Sequence, residues 1–111
     1  MNVLESFASL DIRVGTIVVA EPFPQARKPA YRLRVNFGSE LGIRWSSAQI
    51  TARYTCGELI GRRVLAVVNL PPKRIAGFLS EALVLGVDDS DGNVVLVRPE
   101  FENVPDGAHL Y

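Results

Sequence analysis

The chain has 111 residues, 48% of them hydrophobic and 22% charged, with a formal net charge of zero. That composition folds as one domain spanning residues 1–111 around a modest core, and it excludes disorder and low-complexity architectures. No apolar run approaches the roughly 20 residues of a membrane span, and the N-terminus lacks the basic and apolar regions of a signal peptide, so a cytoplasmic protein with no membrane insertion is expected.

Residues 3–10 place Val3, Leu4, Phe7 and Leu10 on one side of a short helix. The apolar period then changes to two. Residues 13–20, rich in β-branched side chains, predict a strand in which Gly15 marks a bulge or bend. Residues 21–29, with Pro22, Pro24 and Pro29, form a loop. Residues 31–37 alternate most cleanly: Tyr31, Leu33, Val35 and Phe37 point to a core, and Arg32, Arg34 and Asn36 point to water. After a turn at 38–42, residues 43–47 predict a third strand with Ile43 and Trp45 on its buried face; Tyr31 and Trp45 are expected to pack in the core. Residues 48–59 predict a short helix broken near Gly57. Residues 63–69 and 81–87 predict further strands. Residues 88–93 form a hairpin loop turned at Asp91-Gly92, and residues 94–98 pair back before Pro99.

Five or six short strands with two brief helices, and no crossover helix long enough for repeated βαβ units, describe an all-β domain, best a small closed barrel. The helix between the third and fourth strands sits where an OB-fold carries its own. A small sandwich fits the same strand spacing.

The neutral total conceals a segregation of charge. Residues 27–78 hold ten Lys and Arg against two acids, a net of +8, whereas residues 1–26 carry −2 and residues 79–111 carry −6. A fold that gathers the middle of the chain onto one face produces a positive field there; interleaving of the blocks as surface pairs is the alternative. Within the middle, Pro71 and Pro72 end the apolar run 64–68, because proline fixes φ and donates no backbone hydrogen bond. They hold Lys73 and Arg74 on a stiffened loop. Such a loop loses little entropy on meeting an anion, which suits phosphate recognition; a solvated strand connection fits the same residues equally well. Arg27 and Lys28 lie on the proline-rich loop before the second strand, and Phe78 is an aromatic beside these cations. Asn69 and Ser80 flank the loop, suited either to ligand contacts or to capping its backbone.

Catalytic chemistry finds no support. One cysteine, Cys56, and one histidine, His109, build neither a disulfide nor a zinc site. The cluster Asp88-Asp89-Ser90-Asp91-Gly92 fails as a calcium loop, because aligning Gly92 with the invariant glycine puts Val87 at the first ligand position. Phosphate-binding and nucleophile-elbow motifs are absent. The chain reads as a non-enzymatic binding protein with no metal and no cofactor.

Three stretches are then recognisable together: Asp11-Ile12-Arg13-Val14-Gly15, Leu59-Ile60-Gly61-Arg62, and Val68-Asn69-Leu70-Pro71-Pro72-Lys73-Arg74 running on to Gly77 and Ser80. The chain resembles the family of OB-fold tRNA-binding domains, which occurs free and as an appendage of aminoacyl-tRNA synthetases. Ser46-Ser47-Ala48-Gln49-Ile50-Thr51 and Lys73-Arg74-Ile75-Ala76-Gly77-Phe78-Leu79-Ser80-Glu81 are similar to stretches of its CsaA-type secretion-chaperone branch. The resemblance implies a five-stranded OB-fold barrel that works as a homodimer through elements near the chain ends. Val3, Leu4, Phe7, Leu10, Leu110 and Tyr111 are then the expected interface. It carries nucleic-acid contacts onto Asn69, Lys73 and Ser80; Arg74, Arg27, Lys28 and Phe78 join them by charge and position. Synthetase-linked relatives often have Gly-Met after the serine. Here Glu81-Ala82 follows, and the acid is expected to weaken RNA binding. That favours the chaperone branch: a basic-rimmed groove for unfolded polypeptides or preproteins, with tRNA as the alternative ligand of the same face.

Overall fold

The computed structural model describes residues 1–111. Strand β1 (Ile12–Pro22) is the longest, and both faces of its first half are buried. It pairs antiparallel with β4 (Arg63–Val67) along that half and with β2 (Tyr31–Asn36) along the other. β3 (Ile43–Ala48) adds beyond β2, and β7 (Leu83–Val84) beyond β4, giving the order β3-β2-β1-β4-β7. The two edges then meet. The Glu81 N–H donates to the Trp45 carbonyl at 2.9 Å, and Ser46 Oγ donates to the Ala82 carbonyl at 2.8 Å. The sheet therefore curls into a nearly closed five-stranded antiparallel barrel, an OB-fold with only two short helices. Closure removes the exposed edge that an open sheet would present.

The alternation expected at 31–37 is observed: Leu33, Val35 and Phe37 are fully buried and meet Ile17, Leu59 and Val64 inside the barrel. Gly15 is not at a bulge. A Cβ there would stand 2.6 Å from Val35 Cγ1 and 2.8 Å from the Phe37 ring, so its bareness admits those side chains. The irregularity in β1 falls instead between Ile17 and Val19, where Gly61 N–H donates to the Ile17 carbonyl and Ile17 N–H to that of Arg62.

A second apolar cluster, Ile12, Val14, Leu65 and Val67, lies on the outer side of β1 and β4 and is covered by Leu85, Val97, Val104 and Ala108. The tail that covers it is fastened along the part of β1 that β2 leaves free: Val14 N–H bonds the Ala108 carbonyl and Leu110 N–H that of Ile12. Buried Arg13 secures the same place. Its Nε meets Asp11 Oδ1 at 2.7 Å and its Nη1 donates to the Gly107 carbonyl. The Asp11–Arg13 spacing of the first motif thus serves the fold, and the Asp11 carboxylate holds the guanidinium pKa above its ordinary value.

Three expectations are corrected. On β3 the inward residue is Ser46, fully buried, while Ile43 is exposed and Trp45 half-buried outside the barrel. Register decides this: Ser46 lies opposite Leu33 and Trp45 opposite Arg34, so β2 sets which side faces in. Tyr31, by contrast, does pack against the barrel core, its hydroxyl donating to the Tyr54 carbonyl at 2.7 Å. The helix expected over 48–59 shrinks to one turn, α2 (Cys56–Leu59), started by a capping box between Thr55 and Glu58. The strand expected over 81–87 divides into β7 and β8 (Gly86–Asp88), because the chain leaves the barrel edge after Leu85, whose N–H still bonds the Leu65 carbonyl, and pairs β8 with β9 (Val94–Leu96).

The N-terminal helix α1 (Val3–Ala8) buries none of its residues, and Leu10 beyond it is also exposed. No helix is long and apolar enough to cross a membrane.

Candidate ligand-binding groove

The basic stretch after Pro72 is not an open loop. Lys73–Ile75 forms β5 and Phe78–Ser80 forms β6, paired as a hairpin with Ile75 opposite Phe78. Ala76 and Gly77 make the two-residue turn, both with positive φ (48° and 81°), the geometry that matches strand twist in tight hairpins. Hairpin pairing stiffens Lys73 and Arg74 further than the two prolines alone.

Phe78 fastens this hairpin to the barrel wall. Its ring meets Trp45 edge-on at 5.4 Å and Phe23 at 5.3 Å. The Arg32 guanidinium lies 5.4 Å from the Phe23 ring and 5.8 Å from Phe78, and Arg34 sits 5.3 Å over Trp45. Stacking on aromatic faces stabilises cations that would otherwise stand on a hydrophobic wall. Phe23 belongs to the loop that carries Arg27 and Lys28, so one aromatic wedge positions both basic segments.

Between them runs a groove. One lobe of about 500 Å³ is lined by Arg27, Lys28, Lys73 and Arg74 over Ser47, Gln49 and Ile75. It opens into a lobe of about 400 Å³ lined by Leu70, Pro71, Ala82 and Leu83, with Ser80 and Glu81. Lys73, Ile75, Ser47 and Gln49 are common to both. None of the four rim cations makes a salt bridge; Arg74 only reaches its own hairpin, at the Gly77 carbonyl.

The fold therefore gathers four of the ten central cations and spends others elsewhere. Arg32 pairs with Glu21, Arg53 with Asp89, and Arg63 with Asp106, while Arg44 donates to the Val68 carbonyl. Of the sequence-derived site residues, Arg27, Lys28, Lys73, Arg74 and Ser80 line the groove. Phe78 lies behind it, along a separate hollow with Arg32 and Trp45. Asn69 lies outside: its Oδ1 accepts the Asp11 N–H at 2.9 Å and its Nδ2 donates to the Ser9 carbonyl at 2.8 Å. Ser80 Oγ accepts the Ser47 N–H at 3.1 Å. Both polar side chains are thus engaged with backbone. Ser47, Gln49, Leu70 and Ile75 were not named as site residues from sequence, although each lies in one of the recognised stretches.

The arrangement offers an apolar floor, unpaired cations on a rigid rim, and no cluster of three or more His, Cys, Asp or Glu side chains that could hold a metal ion.

The chain is similar to the chaperone CsaA of Bacillus anthracis strain Ames, with 52% identity, a TM-score of 0.91, and coverage of 100% of this chain and 99% of that one. It is similar also to the CsaA chaperone protein of Picrophilus torridus, at 45% identity and a TM-score of 0.91 over the full length of both chains. Among curated relatives, the methionine–tRNA ligase of Porphyromonas gingivalis strain ATCC 33277 is 39% identical over 101 residues, which is 91% of this chain and 14% of the ligase. The chain thus spans only a small part of the curated relatives it matches. A family profile matches residues 12–108, nearly the whole chain, and by that match the chain belongs to the tRNA-binding domain family.

Proposed function

We propose that this protein is a non-enzymatic, CsaA-like chaperone that holds unfolded or export-bound polypeptides in the basic-rimmed groove, working in the cytoplasm as a homodimer. The observation that carries the reading is the groove itself: a lobe lined by Leu70, Pro71, Ile75 and Leu83 adjoins a lobe walled by the unpaired cations Arg27, Lys28, Lys73 and Arg74, and Lys73 and Ile75 line both. An unfolded segment offers apolar residues to the floor and acidic residues to the rim, and recognition of that kind tolerates many sequences. The dimer is supported by Val3, Leu4, Phe7, Leu10, Leu110 and Tyr111, all exposed. Leu110 is fastened to Ile12, two residues beyond Leu10, so helix and tail share one side of the barrel.

The test is suppression of aggregation. Stoichiometric protein is expected to slow light scattering by a heat-denatured model substrate, and Lys73→Glu with Arg74→Glu to abolish much of that protection. Unaltered aggregation in the presence of the wild-type protein rejects the chaperone reading.

A second reading, structured RNA and most directly tRNA, is favoured by the family match and by the same four unpaired cations. In it Lys73, Arg74, Arg27 and Lys28 meet phosphates, with Ser80 as a neighbouring polar group in the groove. Competition between a bound peptide and tRNA distinguishes a shared surface from two separate ones.

A further inference from the structure

We infer that the groove is electrically polar along its length and selects extended polypeptide segments whose charge changes sign across an apolar centre, acidic residues lying at Lys73 and Arg74 and basic residues at Asp88. The inference rests on the polypeptide reading above and specifies its ligands.

The groove does not end at Leu83. A further lobe of about 330 Å³ continues past it, lined by Ile50, Val84, Val94 and Leu96. Ser47 and Gln49 line this lobe as well as the two nearer the hairpin, so the three form one trough. Charge is distributed unequally along it. The first lobe has four cations on its walls and no acid. In the distal lobe the single charged lining residue is Asp88.

Asp88 is available in a way its neighbour is not. Asp89 is committed to the fold: it meets Arg53 at 2.6 Å and accepts the N–H groups of Asp91 and Asn93. Asp88 is exposed and makes no ion pair. Of the acids between residues 88 and 91, it alone lines the trough. Glu81, in the middle lobe, takes the Trp45 N–H at the barrel seam.

Unpaired charges at the two ends of an apolar trough remain hydrated until a ligand covers them. They then discriminate, because a mismatched end leaves a desolvated charge or a like-charge contact. A polynucleotide carries an anion at every residue and would set one against Asp88 if it followed the trough. A polypeptide can reverse its charge over a few residues, so it matches the whole length.

The experiment uses three labelled peptides sharing one apolar centre: one with an acidic end and a basic end, one acidic at both ends, one basic at both. Each is titrated by anisotropy at low salt with wild-type protein, Asp88→Lys and Lys73→Glu. Wild type is expected to bind the mixed peptide on the order of fivefold tighter than either other, the scale of one exposed ion pair gained or lost. Asp88→Lys should transfer the preference to the doubly acidic peptide, and Lys73→Glu, which leaves three cations against one acid in the first lobe, should narrow the advantage of the mixed peptide over the doubly basic one. The thermal midpoint of Asp88→Lys should stay near wild type, as the side chain is exposed. Equal binding of the three peptides by wild type, or an unchanged preference in Asp88→Lys, overturns the polarity and leaves the polypeptide reading standing. Failure of every peptide to bind overturns both.

Discussion

Trp45 and Glu81 are joined twice across the barrel seam: the Glu81 N–H donates to the Trp45 carbonyl at 2.9 Å, and Glu81 Oε1 accepts the Trp45 N–H at 3.3 Å. The acid expected from sequence to disturb an RNA site also fastens β3 to the segment before β7. Removing the acceptor strands a half-buried donor, so Glu81→Ala is expected to lower unfolding free energy by about 1–2 kcal/mol, measured by urea denaturation. Glu81→Gln keeps an acceptor and loses the charge. It should cost less stability and tighten tRNA binding if the carboxylate repels phosphate.

Phe78 ties the hairpin β5–β6 to the Phe23 loop and to Trp45. Phe78→Ala is expected to cost roughly 2 kcal/mol in stability, below the figure for a fully buried phenylalanine because the ring is only half-buried. It should also weaken ligand binding without removing any charge, since both basic segments lose their common support. Amide exchange of residues 73–80 should quicken. A variant as well protected as wild type would show that the strand pairing alone holds the hairpin.

Lys73 lines both main lobes of the groove and has no ion-pair partner. On the RNA reading, Lys73→Glu is expected to weaken tRNA binding by about 1–3 kcal/mol and to reduce the salt slope by about one to two counterions. Anisotropy titrations across several salt concentrations measure both. An unchanged slope would place the phosphates elsewhere.

Leu4 and Phe7 are exposed on a helix that buries nothing in one protomer. Leu4→Asp together with Phe7→Asp is therefore expected to convert a dimer to monomers in sedimentation velocity. The far-ultraviolet circular dichroism of the barrel should be retained, because neither side chain belongs to the core. A monomeric wild type would remove the interface from the proposal.

Asp89 has a pKa held below the ordinary aspartate value of 3.8, first by the backbone N–H of Asn93 and then by Arg53. A carboxylate with a depressed folded-state pKa contributes stability above its unfolded-state value and loses it as pH falls through the folded one. Wild type should thus exceed Asp89→Ala in thermal midpoint at pH 7. The gap should narrow progressively below about pH 4. A gap independent of pH would assign the effect to packing of the hairpin loop.

Sequence alone determined the strands whose side chains alternate, above all residues 31–37, where each apolar residue proved inward and each Arg outward. It also determined that Pro71 and Pro72 end the apolar run before Lys73 and Arg74 and that the cations concentrate in the middle of the chain. These are local properties, fixed by side-chain chemistry and proline geometry. Which way β3 faces was not local: Ile43, Trp45 and Ser46 read as a strand in either orientation, and pairing with β2 chose the one that buries a serine. Asn69 and Ser80 make the same point. Their amide and hydroxyl suit a ligand or a backbone group equally, and the outcome turned on N–H groups 58 and 33 residues away, at Asp11 and Ser47. Pairing of β1 with β4 brought Asp11 to Asn69, and barrel closure brought Ser47 to Ser80. The same closure set Ser47 and Gln49 beneath four unpaired cations and continued the trough to Asp88, a juxtaposition that no periodicity encodes because it depends on where the sheet edges meet.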